Sequence, residues 1–297
     1  MAWSRKKRLE MISDEMATPE VADIFSDIRY SLGLLFTPSY YQALAYYPKF
    51  LEAHWTAIRP IVRTASFFQH ANRIRAEAYT TVHNYFNIPD LCRCTQEEQL
   101  SDGARRELAM AADHFCYREA VVLLICALQS QAFDGAGASP SPTPALAAQP
   151  PVPPNLDLVI VPEQTVAPRI RILFDEIRRT IELPVVTNDY YALARWPDFL
   201  VDFWKALKPN ARSILYSESR RRIIDSAMQH ATSLPDLPSL GVQALHDAGL
   251  DPSKLASIVS INEAFTDTFC SNLINVSFAH IGLEGGNGRS HDVDRAA

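Results

Sequence analysis

Residues 24–63, IFSDIRYSLGLLFTPSYYQALAYYPKFLEAHWTAIRPIVR, decide the fold, because the chain carries this stretch twice. At a shift of 149 residues it faces residues 173–212, LFDEIRRTIELPVVTNDYYALARWPDFLVDFWKALKPNAR, and 15 of the 40 positions are identical without a gap. The turn Ile88-Pro-Asp-Leu91 has a matching turn in the second copy, Leu234-Pro-Asp-Leu237, at a shift of 146 residues. Two copies are too few for a solenoid and predict two tandem repeats that form an intramolecular pseudo-dimer.

A proline-rich stretch separates the two copies. Residues 134–154 hold seven of the chain's 20 prolines, with alanine, glycine and serine between them. This composition has no apolar period and favours extended polyproline II. We therefore expect an N-terminal repeat over 12–133, a linker over 134–160, a C-terminal repeat over 161–281 and a disordered glycine-rich tail over 282–297.

Both copies are predicted to be helical. Thr18-Pro19 and Asp251-Pro252 pair a capping residue with a proline at the first helical position. In the first copy the expected helices run over about 19–32, 48–58, 61–86 and 102–131, and Pro60 is expected to end the second of them. Thr95 and Glu98 have the spacing of a capping box that begins a further short helix. No stretch alternates like a β-strand, so the fold class is all-α.

Composition excludes several classes of function. The chain has 297 residues and a net charge of −6, which disfavours a nucleic-acid partner. The longest apolar run, residues 120–128, is half of what a bilayer span requires, so no membrane partner is expected. The basic residues 1–8 lead into no apolar stretch, so no secretory signal is expected. Five cysteines without repeated spacing indicate a reducing, cytoplasmic location.

Motifs for metals and cofactors are missing from the sequence. The eight histidines include no H-x-x-x-H pair, and no C-x-x-C is present, so neither a metal site nor disulfide chemistry is expected. Glycine-rich nucleotide-binding patterns and the G-x-S-x-G nucleophile turn are also missing. We expect no cofactor.

The informative positions are those at which the two copies differ. Tyr40 of the first copy faces Asp189 of the second, within segments that are otherwise similar. A carboxylate at a helix start is stabilised by the helix dipole and could accept a proton from water as a general base. The alternative is that Asn188 or Asp189 only caps the helix, as Ser39 would in the first copy.

Arg118 raises a similar choice. It precedes the apolar run 120–128 in the last helix of the first copy. It is either an exposed helix charge or a cation that meets an anionic substrate.

The run Asn188-Asp189-Tyr190-x-Ala192-Leu193-Ala194-x-Trp196-Pro197, with the duplication, resembles the group I nonstereospecific 2-haloacid dehalogenases, the halocarboxylic acid dehalogenase family. The resemblance extends from about residue 12 to residue 281. It implies two all-α repeats with the active site in the groove between them. It also implies that an aspartate of the second repeat activates water for direct attack on the halogen-bearing carbon, without a covalent ester, with both enantiomers accepted. A homodimer is a further implication.

The resemblance assigns roles to named positions. Asp189 matches the family's aspartate, Asn188 a neighbouring small polar residue, and Thr64 a threonine associated with activity in some members. At the other positions the chain departs from the family: Phe36 stands for tryptophan, Ser39 for a pocket phenylalanine, Phe68 for a glutamate of some members, Arg118 for a water-positioning asparagine and Val121 for tyrosine. The implied substrate-binding set is Phe36, Ser39, Thr64, Arg118, Val121 and Asn188.

The resulting hypothesis is a hydrolase that converts short 2-halocarboxylic acids into 2-hydroxy acids. Arg118 would offset the repulsion between Asp189 and the substrate carboxylate, while Phe36 and Val121 would surround the leaving halogen. Two alternatives stay open. One is a relative whose altered groove binds or hydrolyses another small carboxylic acid, or only binds it. The other is a structural oligomer without a ligand.

Overall fold

The computed structural model describes residues 9–93, 100–135, 148–149, 151–156, 158–182, 185–235, 238–247 and 249–288. Within these ranges every regular element is helical and no strand occurs, which confirms the all-α prediction. In the same ranges, none of the helices is both long enough and apolar enough to cross a membrane.

The helices are named in chain order. They are α1 (Pro19–Leu32), α2 (Ser39–Leu44), α3 (Pro48–Val62), α4 (Ala65–Tyr85), α5 (Asp102–Asp134), α6 (Pro168–Thr180), α7 (Asn188–Leu193), α8 (Pro197–Ala211), α9 (Ile214–Ala231), α10 (Val242–Asp247) and α11 (Pro252–Leu283). Short 3₁₀ turns lie at Asp14–Met16 and Pro238–Leu240.

Prolines set the helix starts where the sequence predicts them. Pro19 and Pro252 are the first residues of α1 and α11. Proline fits this position because its missing N–H would have no helical partner there. Ahead of α11, the Asp251 carboxylate accepts hydrogen bonds from the backbone N–H groups of Ser253 and Lys254 at 2.9 and 3.3 Å. The predicted cap of this helix is therefore confirmed.

The expected stop at Pro60 is wrong. Helix α3 continues through Pro60 to Val62, and α4 begins at Ala65 instead of residue 61. Pro60 and Thr56, whose carbonyl the proline cannot pair, are both exposed, so water can satisfy that carbonyl. The equivalent Pro209 likewise lies inside α8, two residues before its end.

The chain divides into two compact units. Unit 1 comprises Met1–Ile74, Arg118–Pro154 and Ile223–Cys270, and unit 2 comprises Arg75–Tyr117, Asn155–Arg222 and Ser271–Ala297. In unit 1, α1 and α2 both pack on α3, and Phe25, Ile28 and Phe50 lie in its core. In unit 2, α6 and α7 both pack on α8, with Phe174, Phe199 and Trp204 buried.

Each unit draws residues from both halves of the sequence, whereas the predicted repeats 12–133 and 161–281 are continuous. The division into repeats stays a prediction. The described linker residues up to Pro154 belong to unit 1, where the Ala148 N–H donates to the Arg63 carbonyl at 2.8 Å, and those from Asn155 onward belong to unit 2. The expected helix at Thr95–Glu98 lies outside the described residues.

The chain beyond Gly282 differs from the expected disorder as far as it is described. Helix α11 continues to Leu283, and the Asn287 side chain donates to the carbonyls of His83 and Phe86 at 3.0 and 2.7 Å. These bonds satisfy carbonyls at the end of α4, which holds residues 282–288 in place. Residues 289–297 lie outside the described ranges.

Candidate active site

Asp189 is buried in unit 2. It is the second residue of α7, and the residue is only 1% exposed. Asn188 is the first residue and Thr187 is the N-cap. The carboxylate therefore lies in the first helical turn, where the helix dipole favours a negative charge.

Capping does not explain Asn188 or Asp189. The N-cap position belongs to Thr187, and Ser39 in unit 1 is likewise the first helical residue, after Pro38. The Thr187 hydroxyl makes no cap hydrogen bond and instead accepts one from Asn272 Nδ2 at 2.8 Å. The alternative that Asn188 or Asp189 serves as the helix cap is therefore wrong.

Two asparagines of α11 hold both sides of the α7 start. Asn272 binds Thr187, and one turn later Asn275 Nδ2 donates to the Tyr190 hydroxyl at 2.8 Å. Asn275 Oδ1 in turn accepts the Tyr216 hydroxyl at 2.9 Å. Because Asp189 lies between Thr187 and Tyr190 in the chain, these bonds fix the backbone that carries it.

The Cys116 thiol lies close enough to Asp189 for the two groups to interact electrostatically. Burial raises the pKa of the Cys116 thiol to about 12, and the negative charge of Asp189 contributes in the same direction. The thiol lies 3.9 Å from the Ser277 hydroxyl. Cys116 is therefore a neutral thiol within electrostatic reach of Asp189, which excludes a thiolate nucleophile near neutral pH.

In unit 1, a phenol occupies the position that matches Asp189. The Tyr40 hydroxyl donates to Asn262 Oδ1 at 2.9 Å, and its ring meets Phe265 edge-on at 5.7 Å between centroids. Burial raises the pKa of Tyr40 well above its ordinary value. The side chain is therefore neutral and has a structural role in the core.

The other residues of the predicted set are distributed over both units. Asn188 lies with Asp189 in unit 2, whereas Phe36, Ser39, Thr64, Arg118 and Val121 lie in unit 1. Ser39 and Val121 are buried, and Phe36 is half-buried in the loop before α2. The roles of these residues in substrate binding stay predictions.

Thr64 has a clear local function. Its Oγ1 accepts the Phe67 N–H at 3.2 Å and donates to the Ile61 carbonyl at 2.7 Å. It therefore caps the start of α4 and closes the turn after α3. Phe68, the position where some family members carry glutamate, packs edge-on against the Phe67 ring at 5.4 Å between centroids.

Arg118 is buried and ion-paired. The side chain is 2% exposed, and its Nε donates to Glu119 Oε1 at 3.0 Å. Glu119 itself is fully buried. The alternative of an exposed helix charge is therefore wrong.

Sequence reasoning missed the asparagines of α11. Asn272 and Asn275 lie three residues apart in the stretch 269–279, which is buried throughout. Because buried amides need hydrogen-bond partners, the two asparagines could have been recognised in the sequence as residues that contact another element. Within the described residues, no group of three histidine, cysteine, aspartate or glutamate side chains has the arrangement of a metal site.

The geometry defines an all-α protein that holds a buried carboxylate on a short, amide-anchored helix. The model of the family described as halocarboxylic acid dehydrogenase DehI matches residues 35–190. Because this match spans more than half of the 297 residues, the chain belongs to the DehI family of haloacid dehalogenases.

The individual relatives share less than a quarter of their residues with this chain over the matched lengths. An (R)-2-haloacid dehalogenase from Pseudomonas putida is 23% identical over 275 residues, which covers 90% of each chain. Another (R)-2-haloacid dehalogenase, from Rhizobium sp. (strain NHG3), is 22% identical over 236 residues and covers 77% of this chain and 89% of its own length. The solved complex of a D-2-haloacid dehalogenase with L-LA superposes with a TM-score of 0.87 at 21% identity, covering 95% of this chain and 99% of that chain. This similarity shows that the fold is shared.

Proposed function

We propose that the chain hydrolyses short 2-halocarboxylic acids to 2-hydroxy acids, with Asp189 as the general base. Membership of the DehI family makes it a hydrolase that acts on carbon–halide bonds. The observation that carries the role of Asp189 is its burial, at 1% exposure, on a helix start that α11 anchors on both sides. Tyr40, at the matching position of the first copy, has no basic group to offer.

The proposed reaction is a single displacement. Asp189 accepts a proton from a water molecule while the water oxygen attacks C2 of the substrate. The new carbon–oxygen bond forms as the carbon–halogen bond breaks, and the halide leaves with the bonding electron pair. The configuration at C2 inverts, and a second proton transfer to solvent restores the carboxylate. No step requires a metal ion or a redox cofactor.

The substrate carboxylate needs a positive partner, because it would otherwise repel Asp189. The substrate-binding set proposed from the sequence contains one cation, Arg118. Its 3.0 Å bond to Glu119 lowers the attraction that it can offer to an anion, so part of the proposed compensation must come from uncharged N–H donors. Phe36, Ser39, Thr64, Val121 and Asn188 complete the proposed set.

The proposal includes two tandem repeats, 12–133 and 161–281, joined by the 134–160 linker as an intramolecular pseudo-dimer. Support comes from the helix starts: α1 and α6, α2 and α7, and α3 and α8 each begin 149 residues apart. A homodimer follows only from the family resemblance. A cytoplasmic location is supported by the five cysteines of the sequence, which show no repeated spacing of the kind that a disulfide framework has.

The enantiomer accepted is part of the proposal. The sequence resemblance predicts turnover of both enantiomers, whereas the relatives named above are R- or D-haloacid dehalogenases. Halide release from separate (R)- and (S)-2-chloropropionate decides between a nonstereospecific and an R-specific enzyme.

A second candidate function rests on the Arg118–Glu119 pair. A buried ion pair at the position where the family has asparagine would alter recognition of the acid. The chain would then bind or hydrolyse another small carboxylic acid. Calorimetric titration with 2-hydroxy and 2-halo acids separates the candidates, because this one predicts binding of acids without halide release.

The decisive experiment compares Asp189→Asn with Asp198→Asn. We expect the first variant to lose halide release by at least about a thousandfold, because the amide cannot accept the proton. Asp198 is an exposed partner of Arg169, so its variant should keep wild-type activity. Circular dichroism verifies that both variants are folded.

Single turnover in H₂¹⁸O tests the source of the oxygen. Direct attack by water places the label in the 2-hydroxy acid during the first turnover and leaves the protein unlabelled. Label in the Asp189 carboxylate would show an ester intermediate and would refute the water mechanism, as would wild-type turnover by Asp189→Asn.

A further inference from the structure

We infer that Asn272 is a second group on the hydrolytic water, which it shares with Asp189; this inference rests on the proposed function. Asn272 lies on the unit 2 part of α11 and is 1% exposed. It is absent from the residues that the sequence resemblance assigns to the site.

The two ends of the Asn272 amide differ in their contacts. Nδ2 donates to Thr187 Oγ1 at 2.8 Å, two residues before Asp189. Among the described residues, no group donates a hydrogen bond to Oδ1, although this atom is shielded from bulk solvent. A buried amide oxygen without a donor costs roughly 1–3 kcal/mol unless a water or ligand satisfies it.

Asn262, the asparagine that bonds to Tyr40 in unit 1, lacks this open position. Asn262 Oδ1 accepts the Tyr40 hydroxyl at 2.9 Å, and its Nδ2 donates to Ser130 Oγ at 2.8 Å. Asn275, one turn after Asn272, also uses both ends, on Tyr190 and Tyr216. Of these three buried asparagines, Asn272 alone keeps an acceptor available for a bound molecule in the described structure.

Water is the molecule whose chemistry fits this acceptor. An attacking water needs a lone pair directed at C2, which requires that both of its hydrogens be held elsewhere. One hydrogen goes to Asp189, which takes it as a proton in the displacement. Asn272 Oδ1 accepts a hydrogen bond from the other hydrogen and takes no proton. The product keeps that hydrogen as its new hydroxyl proton, so atoms and charge balance.

Two substitutions separate this role from simple support of α7. Asn272→Leu removes the amide oxygen together with the bond to Thr187. Thr187→Val removes the same bond but leaves the oxygen. We expect Asn272→Leu to lower kcat about a hundredfold with little change in KM, because the water loses its orientation. We expect Thr187→Val to lower kcat about tenfold or less. Equal losses in the two variants would show that Asn272 acts only as a support.

A pH profile gives a readout that support alone would not move. Asn272→Asp keeps an acceptor at this place but adds a second carboxylate to the water that Asp189 holds. Two carboxylates on one site oppose each other's ionisation, so the acid limb of kcat/KM should move up by about one pH unit. An acid limb at its wild-type position would overturn the shared-water arrangement.

A crystal structure tests the geometry without reference to turnover. We expect an ordered water within about 3.2 Å of both Asn272 Oδ1 and an Asp189 carboxylate oxygen. A protein group bonded to Oδ1, or no water there, would overturn the inference even in an active enzyme. An inactive wild-type protein that holds this water would instead refute the proposed function and leave the water site standing.

Discussion

The Tyr190 hydroxyl takes part in a buried chain of hydrogen bonds with Asn275 and Tyr216. It accepts a hydrogen bond from Asn275 Nδ2 at 2.8 Å, and Asn275 Oδ1 accepts one from the Tyr216 hydroxyl. The next residue, Tyr191, is only partly buried and donates to Glu163 at 2.9 Å. Neighbouring tyrosines on one helix therefore carry hydroxyls in different surroundings.

The matched pair Tyr190→Phe and Tyr191→Phe tests the buried chain. Tyr190→Phe leaves the Asn275 amide hydrogen without its acceptor, so we expect the free energy of unfolding to fall by about 1–3 kcal/mol. Tyr191→Phe returns its partner to water and should cost less than about 1 kcal/mol. Urea unfolding at pH 7.5 measures both, and equal losses would contradict the assigned chain.

At the scale of elements, glycines end two helices in the left-handed conformation. Gly33 follows α1 with a φ of 63°, and Gly135 follows α5 with a φ of 64°. Their surroundings differ, because a Cβ on Gly33 would lie 2.4 Å from the Pro151 carbonyl oxygen, whereas one on Gly135 would meet nothing within 4 Å. The linker backbone thus packs on the end of α1.

Alanine at these two positions separates backbone strain from steric conflict. Both substitutions impose left-handed strain of about 1 kcal/mol. Gly33→Ala must also displace Pro151, so we expect it to lower the free energy of unfolding by about 2–3 kcal/mol in total. Thermal and urea unfolding give the comparison. A Gly33→Ala variant as stable as Gly135→Ala would show that the linker does not pack there.

At the scale of the whole molecule, the sequence predicts those features of the fold that depend on neighbouring residues in the chain. Proline at the first helical position fixed the starts at Pro19 and Pro252, because the missing N–H costs nothing there. The predicted helix end at Pro60 was wrong. Whether a helix can continue through a proline depends on whether the carbonyl left without a partner is exposed to water, and tertiary structure decides that. Asn272 was missed because its partner, Thr187, lies 85 residues away in the chain.

Comparison of the two copies singled out Asp189, and the structure adds that it is buried. The sequence could not establish that burial, since an acid at a helix start is more often a cap. Arg118 shows the same limitation, because Glu119 beside it in the chain looks like an ordinary neighbour until both are found buried. Burial of charged groups is a property of the assembled core and has no local sequence pattern.

The stability of the whole chain should depend on pH through His54. This histidine is fully buried in unit 1, and its Nδ1 lies 2.8 Å from Gln129 Oε1. Burial lowers its pKa to about 4, although Gln129 opposes the shift. The unfolded chain takes up a proton near pH 6.5 whereas the folded chain does not, so the free energy of unfolding falls as pH drops from about 6.5 to about 4.

His54→Gln isolates this contribution. At pH 5 the wild-type chain should have lost about 2 kcal/mol of its stability at pH 7.5 through His54, and the variant should lack that loss. Burial and the neighbouring His230 also lower the pKa of His70, which acts in the same direction, so the comparison is between slopes. Although burial raises the pKa of Asp27, hydrogen bonds from Trp55 and Arg59 outweigh it and hold that pKa below its ordinary value. The pH dependence that Asp27 contributes therefore lies at lower pH than that of His54. The exposed His246→Gln variant should keep the wild-type slope, and an unchanged slope in His54→Gln would show that His54 does not carry the pH dependence.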